Sequence, residues 1–149
     1  MSETQTAKVD FPVFARHAGI WEGTYTLIDA KTGGILDHHK SRLTCRTNGI
    51  DQYHQQNVYT WADGKVETKE FPGAFEGGAL RFDNPRLKGQ AYEVDDDVIM
   101  LTWVYKDSPQ DSYYEIITLE SGTHRCRTWQ HFENGMFAKL TVIDERKVA

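Results

Sequence analysis

An Asn134-Gly135 pair, set between two runs that alternate large and polar residues, constrains this chain more than any other feature of its sequence. A type I′ turn needs positive φ at both central positions, which Asn and Gly tolerate, so the pair predicts a tight β-hairpin. The turn also fixes a register. Pairing Glu133 with Met136 sets Phe132 opposite Phe137, Thr128 opposite Thr141, His124 opposite Glu145 and Arg125 opposite Asp144, all of them stabilising cross-strand combinations. One face then carries Arg125, Arg127, Trp129, His131, Ala138, Leu140 and Val142. The wetter face carries His124, Thr128, Gln130, Lys139, Thr141 and Glu145. A guanidinium, an indole and an imidazole at alternate positions above apolar residues suit the wall of an amphiphilic cavity. The plainer reading is that Arg127 and Trp129 stack and close a core.

The rest of the chain repeats the period of two. Expected strands run over Ile20–Asp29, Leu36–Arg46, Asp51–Trp61, Val66–Phe71, Ala79–Phe82, Gly89–Val94, Val98–Tyr105 and Ser112–Leu119, with turns rich in Gly, Pro, Asp and Asn between them. The terminal hairpin brings the count to about ten. Such a meander predicts an all-β fold, a single up-and-down antiparallel β-barrel, because closure removes exposed edges. A two-sheet sandwich would need a long crossover, and no stretch supplies one. Residues 1–10 are small and polar and read as a flexible N-terminus, leaving 11–149 as the barrel domain. Within it, Phe11, Pro12, Val13 and Phe14 predict a short helical turn that plugs one end.

A second Asn-Gly pair, Asn48-Gly49, predicts another hairpin, with Thr47 opposite Ile50, Thr44 opposite Tyr53 and Leu43 opposite His54. Tyr53, Asn57, Tyr59 and Trp61 share one parity. That parity is assigned to the lumen, since so many aromatics are poorly used in solvent.

At 149 residues the chain is long enough for one core without staples. Its net charge of −5, with basic residues scattered, argues against nucleic acid and anionic membranes as partners. No apolar run follows Met1, so neither a signal peptide nor a membrane helix is expected, and the default compartment is the cytoplasm. Cys45 and Cys126 lie far apart without Cys-x-x-Cys spacing and read as free thiols.

Gly19-Ile-Trp21-Glu-Gly23 opens the first strand directly after the plug, and Arg125 and Arg127 lie on the strand before the last. In this the chain resembles the calycin superfamily, which holds lipocalins, fatty-acid-binding proteins, nitrobindins and lipocalin-like phycobilin lyases. The resemblance implies that Trp21 is a floor indole covered by Arg125, Arg127 or Arg146. Three further stretches, Gln56–Gly64, Gly73–Gly77 and Leu80–Asp83, are similar to an uncharacterised lipocalin-like family known from cyanobacteria and plants. A nitrobindin-like haem would need a proximal His near the C-terminus, and His131 lacks a matching flanking signature. Haem is therefore unsupported, and no cofactor is expected. Nor does a phycobiliprotein-partner signature accompany the lyase analogy.

Six histidines invite a metal, yet His38 and His39 are adjacent on a strand and point to opposite faces, so they cannot chelate together. His39 does not meet His54 either, and no metal site is expected. His17 is read as bonding locally within the plug. Asp95-Asp96-Asp97 lacks the spacing of a calcium loop and reads as a solvated turn, as do Glu93, Asp107 and Asp111 near it. Nucleophilic triads, phosphate loops and dinucleotide fingerprints are absent from the sequence.

These readings converge on a barrel that binds a small, largely apolar molecule, aromatic or carboxylate-bearing. The expected lining is Asn57, Tyr59, Trp103, Tyr114, Arg127, Trp129 and His131, with Arg127 facing an anionic group. Tyr114 enters the set because a Ser121-Gly122 turn pairs it with Trp129. A second reading is a cofactor-free isomerase, lyase or cyclase with His131 and Tyr114 as catalytic residues. A third is an interaction module or homodimer whose barrel is filled by side chains.

Overall fold

The computed structural model describes residues 10–149. Apart from Asp10, the expected flexible segment lies outside the described residues. A short helix, α1 (Pro12–Ala15), precedes ten strands: β1 (Gly19–Asp29), β2 (Ile35–Thr47), β3 (Tyr53–Thr60), β4 (Val66–Glu76), β5 (Ala79–Asp83), β6 (Leu87–Glu93), β7 (Val98–Tyr105), β8 (Asp111–Leu119), β9 (His124–Glu133) and β10 (Met136–Lys147). Each strand pairs antiparallel with the next, and β10 returns to β1 to close the barrel. The all-β, up-and-down, ten-stranded expectation holds, helical plug included. The closing seam depends on Gly23, where a Cβ would stand 1.9 Å from the Asp144 carbonyl oxygen.

Helix α1 has no cap of its own. The Glu93 carboxylate on β6 accepts the Val13 and Phe14 amide protons at 2.6 and 2.9 Å, satisfying donors that a helix start leaves free. Arg16 then bonds the Asp96 carbonyl and Asp97 Oδ1. The acidic turn, expected to be only solvated, thus anchors the plug. Val13 and Phe14 are buried against Leu80, Ala91 and Ile99.

Three registers differ from those expected, two of them at the Asn-Gly turns and the third between β8 and β9. At the terminal hairpin, Asn134 (φ 51°) and Gly135 (φ 81°) form the expected turn, and Phe132 does oppose Phe137. A β-bulge between Phe137 and Lys139 then absorbs Ala138, so Lys139 opposes His131, Thr141 opposes Trp129, Ile143 opposes Arg127 and Glu145 opposes Arg125. One extra residue exchanges the two faces of β10. Lys139, Thr141 and Glu145 move into the barrel, while Leu140 and Val142 move out.

At Asn48 the connection is a longer loop. The Asn48 Oδ1 accepts the amide protons of Ile50, Asp51 and Gln52, so pairing resumes only at Thr47 with Tyr53. Leu43 consequently opposes Asn57 rather than His54, and Tyr53 opposes Thr47 rather than Thr44. The lumen assignment of Tyr53, Asn57, Tyr59 and Trp61 survives, because it rested on aromatic content and not on the turn.

Candidate functional site

The barrel interior divides into two chambers around a layer of buried charge. Arg125 and Arg127 are each 4% exposed, Glu115 3% and Glu145 0%. Arg127 Nε donates to Glu115 Oε2 at 2.6 Å, and its Nη1 donates to Tyr25 Oη at 3.0 Å and to both Glu145 oxygens at 3.2 and 3.3 Å. Arg125 Nε donates to Glu145 Oε1 at 2.6 Å, and Arg125 Nη1 to His17 Nδ1 at 2.8 Å. Two guanidinium groups and two carboxylates balance, as buried charge requires.

Burial pushes the Glu115 carboxyl up, with Arg127 opposing it. Burial acts likewise on Glu145, but Arg127 and Arg125 outweigh it and hold that carboxyl below its ordinary range. For His17 burial, joined by the Arg125 charge, pushes the imidazole well down. A neutral ring also follows from geometry, since Nδ1 must carry a lone pair to accept from Arg125. His17 thus bonds a side chain 108 residues away, where a local partner was expected.

Below this layer lies the floor. Trp21 is fully buried, donates from Nε1 to the His17 carbonyl, and lies under the Arg125 guanidinium at 4.4 Å. Against the plug lies a cavity of about 90 Å³ lined by Phe14, Leu80, Ala91, Ile99, Trp103 and Ile117, together with Asn57 and the charged layer. Along its wall β3 carries a relay: Tyr53 Oη donates to Gln55, Gln55 Nε2 to Asn57, and Asn57 Nδ2 to Tyr59 Oη. Among the described residues, His17 Nε2 and Trp103 Nε1 are buried without a hydrogen-bond partner. The cavity can take a few small atoms but not a drug-sized molecule.

Above the layer the barrel opens into a chamber of about 340 Å³, within the range of ligand pockets. Two stacks of rings line it. On one side Tyr113 lies between Trp103 (5.1 Å) and His131 (4.2 Å). On the other His39 lies between Tyr25 (5.0 Å) and Trp61 (4.4 Å). Each imidazole has a carboxylate: His39 Nδ1 is 3.1 Å from Asp37 Oδ2, and His131 Nε2 is 3.4 Å from Asp111 Oδ2. Asp37 also accepts from Trp61 Nε1 at 2.9 Å. Burial lowers the His39 pKa against the pull of Asp37, and burial together with Tyr105 raises the Tyr113 phenol to about 12. Lys69, Arg86 and Lys139 add positive charge around the chamber, Asp37 and Glu67 negative. Phe71, Tyr105 and Trp129 border both spaces.

The expected lining therefore divides. Asn57, Trp103 and Arg127 face the inner cavity, Tyr59 and His131 face the chamber, and Trp129 faces both. Tyr114 does not join them. The Glu120–His124 turn pairs Glu115, not Tyr114, with Trp129, which leaves Tyr114 on the outer surface, 40% exposed. Ile116 goes with it, and the Tyr114 part of the expected acid-base set has no access to the lumen. Arg127 is inside as expected but is neutralised by two carboxylates, so it is not the free cation that a bound anion would need.

Sequence reasoning missed Asp37, His39, Tyr113, Glu115 and Glu145. The last two had a usable signal: two arginines on one inward face demand two inward carboxylates nearby. For metals, the described residues bring two sets of donor atoms within 4.8 Å of one another, Asp111–His131–Glu133 at the chamber and His124–Cys126–Asp144 on the outer surface. Both cysteines are free, Cys45 buried and Cys126 partly so.

No family model matches this chain, and no curated protein does. Solved structures match by fold. A protein of unknown function from the DUF3598 family of Nostoc punctiforme superposes with a TM-score of 0.73 at 18% identity, over 91% of this chain and 49% of that one. This chain thus spans about half the length of that relative. The S-type phycobiliprotein lyase of Guillardia theta gives 0.67 at 11% identity, over 91% and 90% of the two chains. Rv2717c from M. tuberculosis gives 0.62 at 13%, over 100% and 99%. These likenesses are of fold, a closed ten-stranded antiparallel barrel, and among the described residues no helix is long and apolar enough to cross a membrane.

Proposed function

We propose that this protein binds a small aromatic molecule bearing an anionic group, in the open chamber above the buried charge layer. The carrying observation is the chamber itself: about 340 Å³ walled by two ring stacks, with cations around it. Flat aromatic walls favour a flat, conjugated guest, which offset or edge-on contacts with Trp129, Tyr59 and Tyr105 would hold. The anionic group turns outward to Lys69, Arg86 and Lys139, since Arg127 is already neutralised. His131 and His39 offer hydrogen bonds at the ring edge. The inner cavity admits a small substituent past Trp129, next to Asn57 and Trp103. Likeness to the phycobiliprotein lyase is likeness of fold, and it supports an occupied barrel without naming the occupant.

A cofactor-free enzyme is the second reading, and it has its own observation. His39 and His131 line one chamber, and each is held by a carboxylate, the arrangement that orients an imidazole for proton transfer. In that reading His131 and His39 replace the expected pair of His131 and Tyr114.

Native mass spectrometry of the purified protein, followed by denaturing extraction, tests both. A co-purifying aromatic acid, or quenching of Trp emission by added aromatic acids that Trp129→Ala removes, is the expected result. A barrel that carries nothing and is neither quenched nor thermally stabilised by aromatic acids, fatty acids or haem overturns the binding reading. With a ligand in hand, His131→Gln separates binder from enzyme: weakening of roughly tenfold marks a lost hydrogen bond, whereas turnover lost by about a thousandfold marks acid-base chemistry.

A further inference from the structure

The outer surface of the barrel is divided by charge. On the β2–β6 side, outward positions carry Lys40, Arg42, Arg46, Glu70, Arg81 and Lys88, several of them in ion pairs or hydrogen bonds along the surface. On the opposite side, two complete rows of outward residues carry no charge. One row runs Tyr114, Gln130, Leu140 and Ile28 across β8, β9, β10 and β1. The next runs Ile116, Thr128, Val142 and Thr26 over the same strands. Phe132 and Phe137 continue the face toward the hairpin, their rings 5.5 Å apart, with Met136 beyond them.

This face is open. Met136 is 75% exposed, Ile35, next to Ile28, 68%, Phe137 48%, and Tyr114, Val142 and Ile116 between 36% and 40%. A monomeric surface scatters its apolar residues and places charges among them, whereas the centre of a protein interface is depleted of charge and enriched in aromatics. Contiguous over two rows and the hairpin, these residues form an apolar patch of the kind that marks an interaction site rather than a free surface.

We propose that this chain forms a two-fold homodimer in which β8, β9, β10 and β1 of each copy pack face to face through these rows. A second copy is the occupant the charges favour. With a net charge of −5, most of the surface repels its own kind, while a neutral face meets its copy without like-charge cost. Pairing of strand edges is closed off, because the barrel has no edge. Packing through this outer face leaves the chamber reachable, since the chamber is lined from the inner face of the same strands.

Sedimentation velocity over a range of concentrations tests the assignment. The wild-type chain sediments as a dimer, and Val142→Lys, which puts two like charges near the two-fold axis, raises the dissociation constant by about two orders of magnitude. Arg81→Ser on β5, across the barrel from β9 and β10, leaves it unchanged. A wild-type chain that stays monomeric throughout overturns the proposal, and so does a Val142→Lys protein that dimerises like wild type. Should Val142→Lys lose its near-UV circular dichroism, oxidative footprinting of the wild-type chain decides. Met136 and Tyr114 are then protected as concentration rises, and unchanged labelling rates overturn the proposal.

Discussion

Glu145 shows what one side chain can hold in place. Its carboxylate accepts from Arg125 and Arg127 and is 0% exposed, and both arginines are buried beside it. Breaking a buried pair costs more than the pair is worth, because an unpaired charge stays behind. Glu145→Gln is therefore expected to lose about 3–5 kcal/mol in urea unfolding. Removing Arg127 together with Glu115, as Arg127→Met with Glu115→Leu, should cost less than the two single changes added, which a double-mutant cycle measures.

His17 carries a pH signature. Its folded pKa lies well below the ordinary value, so the unfolded chain takes up a proton below about pH 6.5 while the folded chain does not. Its contribution is complete above that pH and is lost as pH falls toward the folded pKa, with a slope of at most about 1.4 kcal/mol per pH unit. His17→Gln keeps an acceptor for Arg125 and is expected to flatten the stability profile between pH 7 and 5.

Among the elements, β10 depends on a single extra residue. The bulge at Ala138 turns Lys139, Thr141, Ile143 and Glu145 inward, and with them the counter-charge of both arginines. Deleting Ala138 removes the bulge but leaves Phe137 opposite Phe132 and Lys139 opposite His131, so Glu145 still meets Arg125 and the inner face is kept. The deletion protein is therefore expected to melt cooperatively, close to wild type. Loss of the cooperative transition on deletion would show that the bulged residue itself, and not the pairing beyond it, holds β10 in register. Helix α1 rests on tertiary support of another kind: four residues are too few to form a helix alone, and the Glu93 carboxylate, 80 residues away, supplies the missing cap.

For the whole molecule the decisive event is closure, the pairing of the first strand with the last. Gly23 permits it, since any Cβ there meets the Asp144 backbone. Gly23→Ala is expected to cost about 1–3 kcal/mol and to raise hydrogen exchange selectively along β1 and β10.

Much of this architecture is legible in the sequence. Ten runs of period-two alternation and their turn residues determine an antiparallel meander, and a meander of that length buries its edges only by closing. The floor indole, Trp21, is implied by resemblance with Arg125, Arg127 or Arg146 as its cover, and the structure selects Arg125; the inward parity of β3 and β9 is legible because aromatic and guanidinium side chains repeat at every second position. What only the tertiary structure decided is the other half of the site. A strand flips its faces with one added residue, so the Ala138 bulge, the Asn48 loop and the Glu120–His124 turn exchanged Tyr114 for Tyr113 and Glu115, and Leu140 for Glu145. Such insertions change no local pattern. They are selected by whether the charges brought inside find partners, and that balance exists only once all the strands are in place.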